Sequence, residues 1–157
     1  MTPGPFAALL DVHGDFIERL MRHQEALVRG DLAAARAEIA GLRRDIEAHI
    51  AHEEAKILPV IERAGSWSRI GDPRFYRDEH VQIRSALEGL EAKTAALVPA
   101  GHRAIALLIG EERAFVSLLE HHDDRERRAL YPDVERLTRP EDWAALATAP
   151  GQAETSG

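Results

Sequence analysis

Apolar residues recur every three or four positions in four separate stretches of the chain, the period of a helix that buries one face. In the first stretch Phe6, Leu9, His13, Phe16, Ile17, Leu20 and Leu27 form a stripe that ends at Gly30, and Asp31 is placed to cap the next helix. The second stripe reads Ile39, Leu42, Ile46, His49, Glu53 and Ile57, and stops between Pro59 and Gly65. After the loop "GSWSRIGDPR", a third helix is expected from Pro73, with Tyr76, His80, Ile83, Leu87, Leu90, Thr94 and Leu97 on one side; "VPAGH" breaks it. The fourth carries Ile105, Leu108, Glu112, Phe115, Leu119, His122, Glu126 and Leu130, and ends at Tyr131-Pro132 or a turn beyond. Short links after the first and third helices, and a link of roughly a dozen residues after the second, suit antiparallel neighbours. The expectation is an all-α protein: an up-down-up-down antiparallel four-helix bundle over residues 1–137, then a short helix and disordered tail over 138–157.

Six residues on these stripes do not belong to an ordinary core. His13, His49, Glu53, His80, His122 and Glu126 fall where the period demands burial, and titratable groups are costly there unless paired or bound to a metal. The second and fourth stripes repeat one phrase. His49-x3-Glu53 has Pro59 six residues beyond the glutamate, and His122-x3-Glu126 has Pro132 at the same offset. His13 follows Asp11 by two positions and His80 follows Asp78 by two, so the chain reads as a doubled helical hairpin, each half giving a lone histidine and a His-x3-Glu.

Residues four apart on a helix share a face about 6 Å apart along the axis, so a histidine can hold one ion while the glutamate reaches between two. Two carboxylates bridging two cations roughly 3.5–4 Å apart would neutralise much of the buried charge. His13 and His49 would serve one ion, and His80 and His122 the other. Imidazole with carboxylate suits Fe and Mn, and Zn acceptably. Ile17, Ile46, Ile83, Leu87 and Leu119 would keep the site dry.

The remaining polar residues divide by face. His121 competes with His122 through its His-x4-Glu spacing to Glu126, but it lies at the stripe's edge with Leu118 and Arg125; His52 and Glu54 point outward; His23 and His102 lie away from the metal level. Tyr76, one turn from His80, stays open between core packing, an axial ligand and a hydrogen-bond donor. Glu112 is expected to pair with an arginine near one end of the helices.

Composition narrows the functional classes. With 45% hydrophobic and 30% charged residues among 157, the chain is a globular domain and not a disordered one. A formal charge of −7 argues against nucleic acid or an anionic membrane as partner, since an acidic surface releases no counterions from a polyanion. The absence of cysteine removes disulfides, thiolate metal sites and thiol catalysis. No signal segment and no run of about 18 apolar residues is present, so a cytoplasmic protein is expected.

The order of ligands also separates bundle families. Ferritin-like di-iron proteins use Glu-x-x-His with four carboxylates. "HIAHEEAKILP" and "HHDDRERRALYP" instead resemble the hemerythrin-like, or HHE cation-binding, family over residues of about 6 to 136. That resemblance implies a non-haem di-iron centre, oxo- or hydroxo-bridged, with Mn or Zn as substitutes, and a diatomic or peroxide ligand. The chain departs from the oxygen carriers of the family in having Tyr76 where they place a second histidine before His80, and His-x3-Glu where they use His-x4-Asp. It is closer in this to hemerythrin-like sensors and iron–sulfur repair proteins, but lacks the cysteine-bearing segment of the latter. Two functions fit: binding or sensing of dioxygen, peroxide or nitric oxide, and a redox enzyme that turns over peroxide or nitric oxide, oxidises iron or repairs iron centres. No pattern announces a substrate pocket or an electron-donor domain, which puts binding or sensing first.

Overall fold

The structure, a computed structural model, describes residues 4–148. The tail expected to be disordered lies almost wholly outside them. The described residues are helical apart from short connections, with α1 (Ala7–Val28), α2 (Leu32–His52), α3 (Leu58–Ala64), α4 (Pro73–Ala96), α5 (His102–Arg125), α6 (Tyr131–Leu137) and α7 (Pro140–Ala147). No helix among them is long and apolar enough to cross a membrane.

Local chemistry sets the boundaries. Gly30 takes φ +72° to turn the chain out of α1. The Asp31 carboxylate then accepts from the Ala34 N–H at 3.0 Å and caps α2. Asp72 does the same for α4 through the Arg74 N–H, with Pro73 supplying the first helical residue. The four long helices pack in a closed cycle, α1 on α2, α2 on α4, α4 on α5 and α5 on α1.

Two features were not expected from the stripes. Between α2 and α3, and again between α5 and α6, the helix widens into a π turn, Glu53–Ile57 and Glu126–Leu130. In each, an N–H reaches back five residues, Leu58 to the Glu53 carbonyl and Tyr131 to that of Glu126. Pro59 and Pro132 have no N–H to give the carbonyl four residues earlier, so each interrupts the α ladder, and the turn before it takes up the extra residue. Both π turns begin on the glutamate of the repeated phrase.

The core is in two apolar clusters. The larger includes Phe16, Leu20, Ile39, Ile46, Ile83, Leu87, Phe115 and Leu119. The smaller includes Leu9, Ile57, Tyr76, Leu130 and Tyr131, with Trp143 and Leu146 of α7 packed against it. On α1 and α4 the chain meets the smaller cluster first, then a buried histidine, then the larger; from α2 and α5 onward the order is reversed. A polar layer therefore separates the two clusters.

Candidate metal centre

That layer contains all six residues singled out in the stripes: His13 from α1, His49 from α2, His80 from α4, His122 from α5, and Glu53 and Glu126 from the first positions of the two π turns. Each is buried, both glutamates completely. Their ligating atoms form two overlapping groups, Glu53, His80, His122 and Glu126 in one and His13, His49 and Glu126 in the other. Each group could hold a metal ion.

The contacts are close. His122 Nε2 lies 2.6 Å and His13 Nε2 3.2 Å from the two oxygens of Glu126. His80 Nε2 is 3.3 Å from Glu53 Oε2, and His49 Nε2 is 3.6 Å from Glu53 Oε1. The Tyr131 hydroxyl donates to Glu53 Oε1 at 2.5 Å.

The outer nitrogens fix which protonation state these rings bring. His13 Nδ1 faces the Leu10 carbonyl at 3.0 Å and Asp123 at 2.9 Å; His80 Nδ1 faces Glu54 at 3.0 Å; His122 Nδ1 faces Glu79 at 2.9 Å. All these partners are acceptors, so Nδ1 carries the hydrogen and Nε2 presents a lone pair inward. Each outer carboxylate is itself held by an arginine: Asp123 by Arg127, Glu54 by Arg84 and Glu79 by Arg125. Among the described residues, the inner nitrogens of all four histidines, Glu53 Oε2 and both oxygens of Glu126 have no hydrogen-bond partner. Lone pairs facing lone pairs are stabilised by a cation or by extra protons, and a cation does so without charging several buried imidazoles.

Electrostatics point the same way. Burial drives His49 down to about 4 and also lowers His13, so both are neutral donors. Burial opposes ionisation of Glu53, but the neighbouring His49, His80 and His122 overcome it and hold its pKa below the usual carboxylate range. Glu126 is pushed well above that range, by burial and then by the Glu53 charge beside it. His122 is the exception among the rings: its pKa is raised well above the usual imidazole value, against burial, by Glu126 first and then by Glu79 and Glu53, which favours a proton on Nε2 in place of the lone pair when no cation is bound. Without a cation, protons hold the layer together, concentrated on the close His122–Glu126 contact.

Several polar residues sit otherwise than their stripes suggested. Glu54 is not a surface passenger but the anchor of His80, and His52, expected to face outward, is 1% exposed because α7 covers that side. Among the described residues Glu112 meets no arginine: it lies 2.8 Å from His23 Nε2 and accepts from Gln24 at 2.8 Å, all near the far end of α1. His121 and His102 are exposed. Tyr76 is fully buried and donates to the Arg125 carbonyl at 3.3 Å, just before the second π turn. The anchors had a signal that stripe reading passes over. Glu54, Glu79 and Asp123 each adjoin an inward residue in sequence, Glu53, His80 and His122, and each serves the histidine on the next helix of the cycle.

Comparison of the chain with protein-family models, curated proteins and solved structures returns no match.

Proposed function

We propose that this chain is a hemerythrin-like metal-binding protein: an antiparallel up-down-up-down four-helix bundle whose histidine–glutamate layer holds a non-haem di-iron centre and binds or senses dioxygen, peroxide or nitric oxide. The observation that carries the reading is the set of four inward Nε2 atoms and three buried carboxylate oxygens, one of Glu53 and both of Glu126, left without donors among the described residues and divided into two groups that share Glu126. The alternating order in which the helices pass the two apolar clusters supports the topology. His13 and His49 would serve one ion and His80 and His122 the other, with Glu53 and Glu126 between them. Bound iron would supply redox-active positions for a small ligand.

The protein's own groups do the rest. Tyr131 holds one oxygen of Glu53 and leaves the other free toward His80. The outer carboxylates keep the rings in the ligating tautomer. Phe16, Ile46, Ile83 and Leu119 on one side, and Tyr76, Ile57 and Leu130 on the other, keep bulk water from the layer. Metal analysis of freshly purified protein with an ultraviolet–visible spectrum tests the proposal. About two Fe per chain with ligand-to-iron charge-transfer bands is the expected result. One Zn, or no metal, would overturn it.

A further inference from the structure

Three of the four histidines have an outer carboxylate, and the three follow one rule. A carboxylate next to an inward residue in the π turn that continues α2 anchors the histidine of α4, one on α4 anchors that of α5, and one on α5 anchors that of α1. Continued once more, the rule would require a carboxylate beside His13 on α1 to anchor His49 on α2. The flanking residues are Val12 and Gly14. No carboxylate or carbonyl of the described residues anchors His49 Nδ1.

Where that link is missing, a cleft opens between α1 and α2. It has a volume of about 390 Å³ and its wall includes Leu9, Val12, Phe16, Ala48, His49 and His52. Its surface is mostly apolar, with Asp15 and Asp45 at the exposed rim. His52 closes the floor of the cleft with both nitrogens enclosed, the ring lying against the Leu146 backbone. His49 differs: of its nitrogens only Nε2 is both enclosed and unpartnered, so Nδ1 is open to the cleft.

We infer that this cleft is a binding site for a small uncharged phenol-like molecule, its ring against Leu9, Val12 and Phe16 and its hydroxyl on His49 Nδ1. The size suits a single-ring compound. A hydroxyl both donates and accepts, which matches a His49 Nδ1 that can do either. With Nε2 of His49 given to a cation, as the preceding reading has it, Nδ1 donates to the ligand; without a cation it can accept instead, so occupancy does not depend on that reading. The rim carboxylates disfavour an anionic ligand; Asp45 is only partly offset by Arg19 at 3.2 Å.

The test is calorimetric titration of the full-length protein with 4-ethylphenol, ethylbenzene and benzoate, before and after chelation, with metal content measured on the same samples. Saturable one-to-one binding of 4-ethylphenol is expected with a Kd between about 10 μM and 1 mM. Ethylbenzene and benzoate should each bind at least about tenfold more weakly. Ala48→Phe, a change on the exposed rim, should abolish binding while leaving the fold and the metal content intact. Absence of saturable binding, equal binding of ethylbenzene and 4-ethylphenol, or binding indifferent to Ala48→Phe would each overturn the inference. A protein that binds 4-ethylphenol but purifies without metal would uphold this site and sink the di-iron reading; the reverse result would do the opposite.

Discussion

Two buried histidine–glutamate assemblies lie in this molecule, and they solve the same problem differently. At one level His23 and Glu112 are fully buried, and His23 Nδ1 donates to the Ala35 carbonyl at 2.9 Å. Its Nε2 and one Glu112 oxygen then face each other at 2.8 Å, while Gln24 satisfies the other oxygen. Those two facing atoms have no other partner among the described residues, and a single hydrogen between them would complete the assembly. About 15 Å along the helices, ten residues at 1.5 Å each, the second level sets four histidines against two carboxylates. There three of the four outer nitrogens are already committed, and seven inner atoms are left without a donor among the described residues. The difference lies in stoichiometry: one proton can close a pair, whereas a ring of lone pairs around two carboxylates takes several protons or could hold a cation.

The largest effect should come from Glu126→Ala, because Glu126 belongs to both ligand groups. Metal analysis is expected to show loss of bound metal well beyond the roughly 10–100-fold in affinity that loss of an outer partner causes. Glu112→Ala should leave the metal content at the wild-type level. If both variants lose metal alike, the two levels are not separate and the contrast fails.

Stability reads the contrast from the other side. Removing Glu112 strands His23 in a dry interior, and breaking such a pair destabilises by about 3–5 kcal/mol. Urea unfolding of Glu112→Ala should register a loss of that order. The double replacement His23→Leu with Glu112→Leu should recover much of it, since apolar residues can replace a buried pair at little net loss. A double variant as unstable as the single one would mean that packing, and not the unpaired group, sets the penalty.

How far the sequence discloses these arrangements depends on whether an interaction follows the helix period or crosses between helices. The helices and the six inward residues were legible because both obey the 3.6-residue period, and because the phrase at His49 returns at His122. His23 was also legible in principle: it continues the spacing Phe16, Leu20, Leu27, and it stands ten residues after His13 just as Glu112 stands ten before His122. Helices running in opposite senses bring such offsets to one level. Glu54, Glu79 and Asp123 escape because they lie beside the stripe, and their function depends on the neighbouring helix. His52 escapes because α7, a distant element, covers it. The π turns follow from Pro59 and Pro132, yet a proline alone does not say whether a helix ends or widens.

The smallest of the expected effects concerns how each histidine is anchored. His23 is held by a neutral carbonyl, whereas His122 is held by the Glu79 carboxylate, itself gripped by Arg125 at 2.9 Å. A carbonyl fixes the tautomer; a carboxylate also makes the ring a stronger donor to a cation. Glu79→Gln keeps an acceptor for Nδ1–H and removes only the charge, and Glu79→Ala removes both. Metal affinity, measured by competition with a chelator of known strength, should fall by about 10–100-fold for the alanine variant, or about 1.4–2.7 kcal/mol. The glutamine variant should fall between that and wild type. Asp78→Asn removes a neighbouring exposed carboxylate and should change nothing. Should glutamine match alanine, the anchor acts through its charge; should it match wild type, orientation alone suffices and Ala35 and Glu79 are equivalent anchors. An alanine variant with undiminished affinity would remove the ring of outer carboxylates from the account of the site.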